Sequence, residues 1–126
     1  MIGYVTLGTN NKDKAVKFYD ELLKEIGGKR FMETEQFTAY SSSPGKPGIG
    51  ITKPFDGKPA TVGNGTMVAL QVDSPEKVNS FYKKAISLGA KDEGKPGPRG
   101  DSGFYPAYFR DLDGNKLNVF CFVNKK

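Results

Sequence analysis

Residues 4–27, YVTLGTNNKDKAVKFYDELLKEIG, are followed 63 positions further along the chain by a weaker copy, MVALQVDSPEKVNSFYKKAISLGA, at residues 67–90. In both copies apolar and polar residues first alternate, which is typical of a strand, and apolar residues then recur at helical spacing. The chain has 126 residues, enough for one domain with a core of its own. We therefore predict a single domain, residues 1–126, built from an internal repeat of residues 1–62 and 63–126.

Each copy carries start and stop signals for its helix. In the first copy, Asn10 or Asn11 can cap the free N–H groups of the first turn, and Gly27 can end the helix. In the second copy, Ser74 precedes Pro75, and proline suits the first helical position. The predicted buried faces of the two helices consist of apolar residues at helical spacing, namely Ala15, Phe18, Leu22, Leu23 and Ile26, and then Val78, Phe81, Tyr82, Ala85 and Ile86.

Shorter strand candidates follow each helix, and residues 54–65, which are rich in glycine and proline, connect the halves. The candidates are residues 31–34, 37–41 and 48–53 in the first half, and a weak segment near Lys91, residues 103–110 and residues 116–123 in the second. A shift of 68 positions places Tyr40 on Tyr108 and Gly50 on Asn118. Each half is therefore predicted to be a βαβββ unit, and the fold class to be α+β.

The composition narrows the range of functions. The net charge is +5, but the lysines are interspersed with acidic residues and form no basic stripe, so we predict no nucleic-acid binding. No apolar run approaches the length of a membrane span, and no signal-peptide pattern opens the sequence, which predicts no membrane partner. The one cysteine, Cys121, cannot form an internal disulfide, which favours a cytoplasmic protein with a buried thiol. The chain contains no histidine.

The repeat and two short motifs resemble the vicinal oxygen chelate superfamily, which comprises glyoxalases, bleomycin-resistance proteins and extradiol dioxygenases. The motifs are Phe18-Tyr19 in the first helix and YFRDLDGNKL at residues 108–117. The Asp-Gly step of the second motif also suits a tight hairpin turn. The resemblance implies that the helices lie outside curved sheets whose other side forms the functional site, and it implies a homodimer.

The strand pattern independently predicts two unlike sheet faces. One face is uniformly apolar and is expected to lie under the helices, and it consists of Val5, Leu7, Ile49, Ile51, Val68, Leu70, Leu117 and Val119. The opposite face mixes polar, small and aromatic residues, and it consists of Tyr4, Thr6, Gly48, Gly50, Met67, Ala69, Asn118 and Phe120. A mixed face of this kind fits a ligand cavity better than a second core.

Metal-using members of the superfamily place His or Glu at four strand positions, which correspond to Tyr4, Gly50, Met67 and Asn118 in this chain. Divalent transition metals prefer imidazole nitrogen and carboxylate oxygen as ligands. Gly50 has no side chain, Met67 has a thioether, and Asn118 has a neutral amide. We therefore predict no metal and no cofactor. The resemblance then points to the metal-free bleomycin-resistance branch, which binds its ligand without transforming it.

Three further sets of side chains are candidates, each with a plain alternative. Tyr4 and Asn118 are expected to face each other and to contact a ligand, or else to bond to each other or to water. Arg99, in a glycine-proline loop, either clamps an anionic ligand or remains in solvent. The strand aromatics form either a stacking wall for a planar ligand or part of the core, and they are Tyr40, Phe104, Tyr105, Tyr108, Phe120 and Phe122.

The predicted function is the binding of a small organic molecule in the sheet cavity without metal. The predicted ligand-binding residues are Tyr4, Thr6, Gly50, Met67, Asn118, Tyr108, Phe120 and Arg99. One alternative is a metal-independent lyase or isomerase that uses Tyr4 or a loop arginine. A metal-dependent lactoylglutathione lyase or dioxygenase is disfavoured by the missing ligands, and a scaffold with a decayed site is a third alternative. No catalytic residue is assigned.

Overall fold

The structure, a computed structural model, describes residues 1–123 and divides the chain into two compact units, Met1–Gly63 and a second that begins at Asn64. The first unit contains β1 (Tyr4–Gly8), α1 (Lys12–Lys24), β2 (Lys29–Glu33), β3 (Phe37–Ser41) and β4 (Gly48–Thr52). The second unit contains β5 (Val68–Gln71), α2 (Pro75–Ser87), β6 (Lys91–Gly94), β7 (Phe104–Arg110) and β8 (Lys116–Phe122). The α+β fold of two tandem βαβββ units is therefore confirmed.

Each unit holds one four-stranded sheet with the same topology. The strand order is β1-β4-β3-β2 in the first unit and β5-β8-β7-β6 in the second. The first strand of each unit runs parallel to the last, and the remaining pairs are antiparallel. A parallel pair needs a crossover connection, and the helix lies within it and covers one face of the sheet. We call the opposite face of each sheet its open face.

Helix α1 begins and ends at its capping residues. The Asn11 side chain accepts a hydrogen bond of 3.2 Å from the backbone N–H three residues further on, so Asn11 is the N-cap. Asn10 instead bonds to the backbone of the segment that follows β4. At the other end Gly27 takes a φ of +78°, and the Gly28 N–H donates to the Leu23 carbonyl at 2.7 Å. The two glycines therefore close the last turn, as predicted.

The predicted helix faces are mostly buried; Tyr82 is half-buried, and the last residue of each face is half-buried or exposed. The buried members of the α1 face are Ala15, Phe18, Leu22 and Leu23. In α2, Val78, Phe81 and Ala85 are fully buried. The prediction for Ile86 is wrong, because this residue lies one position round the helix from Ala85 and is 36% exposed. Ile26 is half-buried because α1 has already ended before it.

The sheet registers correct one predicted equivalence between the halves. β3 pairs Tyr40 with Ile49, and β7 pairs Phe109 with Leu117. Since Ile49 and Leu117 are equivalent in the repeat, Tyr40 corresponds to Phe109, and its predicted match with Tyr108 is wrong by one residue. A slip of one residue moves a side chain to the other face of a sheet. Tyr40 therefore lies on the helix side, whereas Tyr108 lies on the open face.

In each unit a hydrogen bond between a tyrosine and an aspartate joins the helix to the sheet. The tyrosine belongs to the sheet in the first unit and to the helix in the second. In the first unit Tyr40 of β3 donates to Asp20 of α1 at 2.8 Å, and Arg30 donates two more hydrogen bonds to the same carboxylate at 2.6 and 2.7 Å. In the second unit Tyr82 of α2 donates to Asp92 of β6 at 2.8 Å. Burial and this hydrogen bond raise the pKa of Tyr82 to about 12. The same two causes raise the pKa of Tyr40.

The apolar sheet faces that were predicted to lie under the helices are buried or half-buried throughout. They consist of Val5, Leu7, Ile49, Ile51, Val68, Leu70, Leu117 and Val119. Cys121 is a buried free thiol, as predicted, and burial raises its pKa. The connection at residues 54–65 contains no helix or strand, also as predicted. Neither helix described within residues 1–123 has the length and apolar character needed to cross a membrane.

Thr38 of β3 is buried on the helix side, and its hydroxyl has no hydrogen-bond partner among residues 1–123. A hydroxyl in this position loses its bonds to water and gains none, which destabilises the fold. We expect Thr38→Val, which replaces the hydroxyl by a methyl group, to raise the free energy of unfolding in urea by about 1 kcal/mol. Thr34→Val is the control and is expected to lower it, because Thr34 Oγ1 accepts the Phe37 N–H at 3.1 Å. A destabilised Thr38→Val variant would contradict this account.

Candidate functional site

The open face of the first unit is covered near its centre by the ring of Phe37. The register places Tyr4, Thr6 and Gly50 together on this face, as predicted. A Cβ atom on Gly50 would overlap the Phe37 ring, so the absent side chain makes room for the aromatic one. The rings of Tyr4 and Phe37 meet edge to face with their centroids 6.4 Å apart, and Tyr4 is 63% exposed.

Phe37 is a site residue that sequence reasoning missed. Its partner on β4 is Thr52, which lies on the same face as Gly50 two residues earlier. The signal was the alternation along β3, in which Phe37 and Ala39 share the open face and Tyr40 points to the helix. Because the predicted equivalence of Tyr40 was wrong by one residue, the two sides of β3 could not be assigned correctly.

A second aromatic residue reaches the same open face through an irregularity in β2. The pairing of β2 with β3 shifts between Arg30 and Met32, which is the pattern of a β-bulge. The extra residue, Phe31, lies over Gly48, where a Cβ atom would approach its ring to 3.2 Å. Phe31 and Met32 are both exposed. The open face of the first unit therefore carries three aromatic rings, those of Tyr4, Phe31 and Phe37.

On the open face of the second unit, Asn118 ties two strands together. It is 2% exposed, and its Nδ2 donates to the carbonyls of Ala107 at 3.0 Å and Val119 at 3.2 Å. Its Oδ1 accepts no hydrogen bond from the part of the chain that the structure describes. Met67 lies just before β5 and is exposed. The predicted approach of Asn118 to Tyr4 joins residues of different units and stays a prediction.

Three phenylalanines form a cluster on the same open face. The ring centroids of Phe104, Phe120 and Phe122 lie 5.5 to 5.8 Å apart, and Phe122 is 59% exposed. The structure thus brings together three of the six aromatic residues that were predicted as a stacking wall or as part of the core. Tyr105 does not belong to it, because its hydroxyl donates to a side chain of α2 at 2.9 Å. Tyr105 and Tyr40 both lie on the helix side, so for these two residues the structure favours the alternative of a place in the core.

Arg99 and Lys116 both lie over the ring of Tyr108. The Arg99 Cζ is 5.9 Å and the Lys116 Nζ 5.5 Å from the ring centroid, within the range of cation–π attraction. The Arg99 Nη1 and Nη2 atoms each donate a hydrogen bond of 2.8 Å, to the carbonyls of Gly97 and Lys95. These bonds close the loop that carries Arg99. The guanidinium nitrogens with which Arg99 was predicted to bind an anion therefore already donate hydrogen bonds within its own loop.

The four positions that would hold a metal do not fit one. The Phe37 ring covers Gly50, and the amide of Asn118 donates to backbone carbonyls. Tyr4 and Met67 offer a phenol and a thioether, which are poor ligands for divalent metals. Across the described range 1–123, no group of three or more His, Cys, Asp or Glu side chains could hold a metal ion.

Solved structures share this fold. A glyoxalase/bleomycin resistance protein from Albidiferax ferrireducens T118 aligns with a TM-score of 0.87 and 35% identity, over 98% of this chain and 99% of that chain. A glyoxalase/bleomycin resistance protein/dioxygenase family enzyme from Burkholderia phytofirmans PsJN aligns with a TM-score of 0.76 and 18% identity, over 96% and 98%. The fosfomycin resistance protein FosX from Listeria monocytogenes aligns with a TM-score of 0.74 and 15% identity, over 98% and 93%. At such low identity the last two likenesses show the fold alone.

The sequence itself also matches a family model. The model describes the Glyoxalase/Bleomycin resistance protein/Dioxygenase superfamily and matches residues 1–119, which span both βαβββ units as far as β8. No curated protein matches the chain. The family match agrees with the duplicated βαβββ unit. The chain therefore belongs to the Glyoxalase/Bleomycin resistance protein/Dioxygenase superfamily.

Proposed function

We propose that this protein binds a small, partly aromatic organic molecule against the open faces of its sheets, without a resident metal. The observation that carries the proposal is the cluster of Phe104, Phe120 and Phe122, which leaves the ring of Phe122 largely exposed. Aromatic rings in such clusters stack on planar ligands. An exposed apolar cluster on a soluble domain is a typical feature of a binding surface.

Polar groups beside these rings supply hydrogen bonds that would orient the ligand. Asn118 alternates along β8 with Phe120 and shares its face, and its Oδ1 is left without a donor among residues 1–123. In the first unit the hydroxyls of Tyr4 and Thr6 also lack a hydrogen-bond partner within the described range. A mostly apolar wall with a few polar groups is the usual composition of a small-molecule site.

The side chains at the positions where relatives hold a metal support ligand binding without one. Of the four positions that metal-using relatives would employ, none carries an imidazole or a carboxylate. The homodimer and the cytoplasmic location expected from the sequence remain predictions. Light scattering of the purified protein tests the first of them, since a dimer has twice the 13.7 kDa mass of the chain.

The experiment is a fluorescence titration with anilinonaphthalene sulfonate, a planar aromatic probe, on protein treated with a chelator. We expect saturable binding that the chelator leaves unchanged. Phe122→Ser removes the exposed ring of the cluster, and we expect it to raise Kd at least about fivefold, or about 1 kcal/mol. Tyr4→Phe removes one hydroxyl and is expected to weaken binding less.

The matched control is Phe55→Ser. Phe55 is 97% exposed but lies in the connection after β4, away from any strand. Its replacement is expected to leave the Kd of the probe unchanged, and circular dichroism confirms that each variant is folded. Equal weakening by Phe55→Ser would show that the probe binds exposed rings indiscriminately. Loss of binding on chelation would overturn the metal-free part of the proposal.

A further inference from the structure

A separate cavity of about 420 Å³ lies at one edge of the first unit. It is lined by Lys29, Arg30 and Phe31 at the start of β2, and by residues 41–46, which form the end of β3 and the turn into β4. Its volume falls within the range of small-molecule sites. None of the residues proposed above to bind a ligand on the open faces lines it.

The cavity carries two positive charges that the described residues do not neutralise. Lys29 and Lys46 form no ion pair within residues 1–123. Arg30 is different, because its guanidinium donates to the carboxylates of Asp20 and Glu33 at 2.6 to 2.9 Å. No aspartate or glutamate is found among the described lining residues. The free charge of the cavity therefore favours an anion.

The turn also has hydroxyl groups that are not engaged. Ser41 Oγ donates to the carbonyls of Lys46 and Pro47, at 3.1 and 3.3 Å, and so closes the turn. The hydroxyls of Ser42 and Ser43 have no hydrogen-bond partner in the described chain. Both residues line the cavity. Each can donate a hydrogen bond to an oxygen of a bound anion.

The equivalent turn of the second unit contains an anion of its own. There the Asp111 carboxylate accepts the backbone N–H groups of Asp113 and Asn115, both at 2.9 Å. The 68-residue shift that aligns β4 with β8 places Ser43 at the position of Asp111, whereas the 69-residue shift that aligns β3 with β7 places Ser42 there. Residues 42–47 contain no acidic residue. The turn of the first unit, residues 42–47, is one residue longer than the turn of the second unit, residues 111–115, and has no internal carboxylate.

Phe31 gives the cavity an aromatic wall. The bulge in β2 places this ring over Gly48, where a Cβ atom would lie 3.2 Å from it. The ring is exposed and so is available to a planar group of the ligand.

We propose that this cavity binds a small organic anion, a carboxylate or a phosphate ester, that carries a planar apolar group. The anionic oxygens lie between Lys29, Lys46 and the hydroxyls of Ser42 and Ser43, and the planar group stacks on Phe31. The cavity shares Phe31 with the open face of the first unit, but it shares no residue with the cluster of Phe104, Phe120 and Phe122 that carries the proposed function.

The experiment titrates phenyl phosphate into isotopically labelled protein at low salt and follows backbone amide chemical shifts. We expect saturable shifts at residues 42–46 with a Kd on the order of 1 mM, as suits a small exposed anion site. Lys46→Gln is expected to raise Kd at least about fivefold. Lys17→Gln removes the same charge from the exposed surface of α1 and is expected to change Kd little. If both variants raised Kd equally, phenyl phosphate would be attracted by the net charge of the protein and not by this cavity, and the proposal would be overturned.

Two further variants test the two parts of the site separately. Ser43→Asp places a negative charge in the lining of the cavity and is expected to abolish binding, while Phe31→Leu is expected to weaken phenyl phosphate binding and leave inorganic phosphate binding unchanged. Titration with benzoate distinguishes a carboxylate ligand from a phosphate ester. Unchanged binding in Ser43→Asp would contradict the assignment. Phe122→Ser is expected to leave phenyl phosphate binding intact, so this site and the proposed open-face function can fail independently.

Discussion

Replacement of Asp111 by alanine is expected to lower the free energy of unfolding by about 2–4 kcal/mol, measured by urea denaturation. The Asp111 carboxylate is buried and accepts two backbone N–H groups at 2.9 Å and the Asn115 Nδ2 at 3.0 Å. Alanine removes the acceptor of these three hydrogen bonds from a turn in which Asn115 is buried. A buried donor that loses its partner has a larger effect than the net value of the hydrogen bond itself.

Two controls separate this effect from the loss of a charge. Asp111→Asn keeps an oxygen that can accept the two backbone N–H groups, and we expect it to be less destabilising than Asp111→Ala. Asp101→Ala removes an exposed carboxylate that has no partner in the described range, and we expect a change within about 0.5 kcal/mol. If Asp101→Ala and Asp111→Ala had equal effects, the turn would not depend on the carboxylate.

Tyr40→Phe is expected to lower the free energy of unfolding by about 1–2 kcal/mol, because the lost hydroxyl donates to a carboxylate from a buried ring. Tyr82→Phe is the matched comparison, since it removes the same hydrogen bond from the other unit. Its effect is expected to be much smaller, because Asp92 is exposed and water can replace the tyrosine. A larger loss of stability in Tyr82→Phe would show that burial does not determine how much these hydrogen bonds stabilise the fold.

The stabilisation by Tyr40 is also expected to depend on pH. Partial burial alone would raise the pKa of Asp20, but hydrogen bonds from Arg30 and Tyr40 outweigh it, so this pKa lies below its usual value. A carboxyl whose pKa is lowered by folding stabilises the fold above its unfolded pKa of about 4, and this contribution is lost as the pH falls. The difference between wild type and Tyr40→Phe should therefore be constant from pH 5 to 9 and shrink below about pH 4. Urea denaturation at each pH measures it.

The repeat makes most of this fold predictable from sequence. Strand–helix units stand out because apolar spacing changes from two to about 3.6 residues within each copy. The structure confirms the capping residues Asn11 and Ser74, since an N-cap is a local interaction that needs no tertiary information. The weak strand near Lys91 and the early start of β2 were harder to predict, because both strands are exposed and lack an apolar pattern.

The site was predictable only in part, for reasons of register. The side chains of Tyr4, Thr6 and Gly50 fall on one face because they belong to a regular parallel pair. The bulge that turns Phe31 onto that face cannot be read from alternation, because an extra residue breaks the period of two. Identical Ala-Tyr steps in β3 and β7 favoured an alignment that strand pairing contradicts. Hydrogen bonds such as those that hold Arg99 depend on loop geometry that no local pattern describes.

Because the tyrosine and the aspartate change places between the two units, a helix of one repeat cannot simply replace the helix of the other. The repeat aligns Lys83 of α2 with Asp20 of α1. A chimaera that carries α2 on the first sheet would place this lysine beside Arg30 and deprive Tyr40 of its carboxylate. The reverse graft is milder, because Tyr19 then aligns with Tyr82 and can meet the carboxylate of β6. These pairs therefore tolerate an exchange of helices better in one direction than in the other.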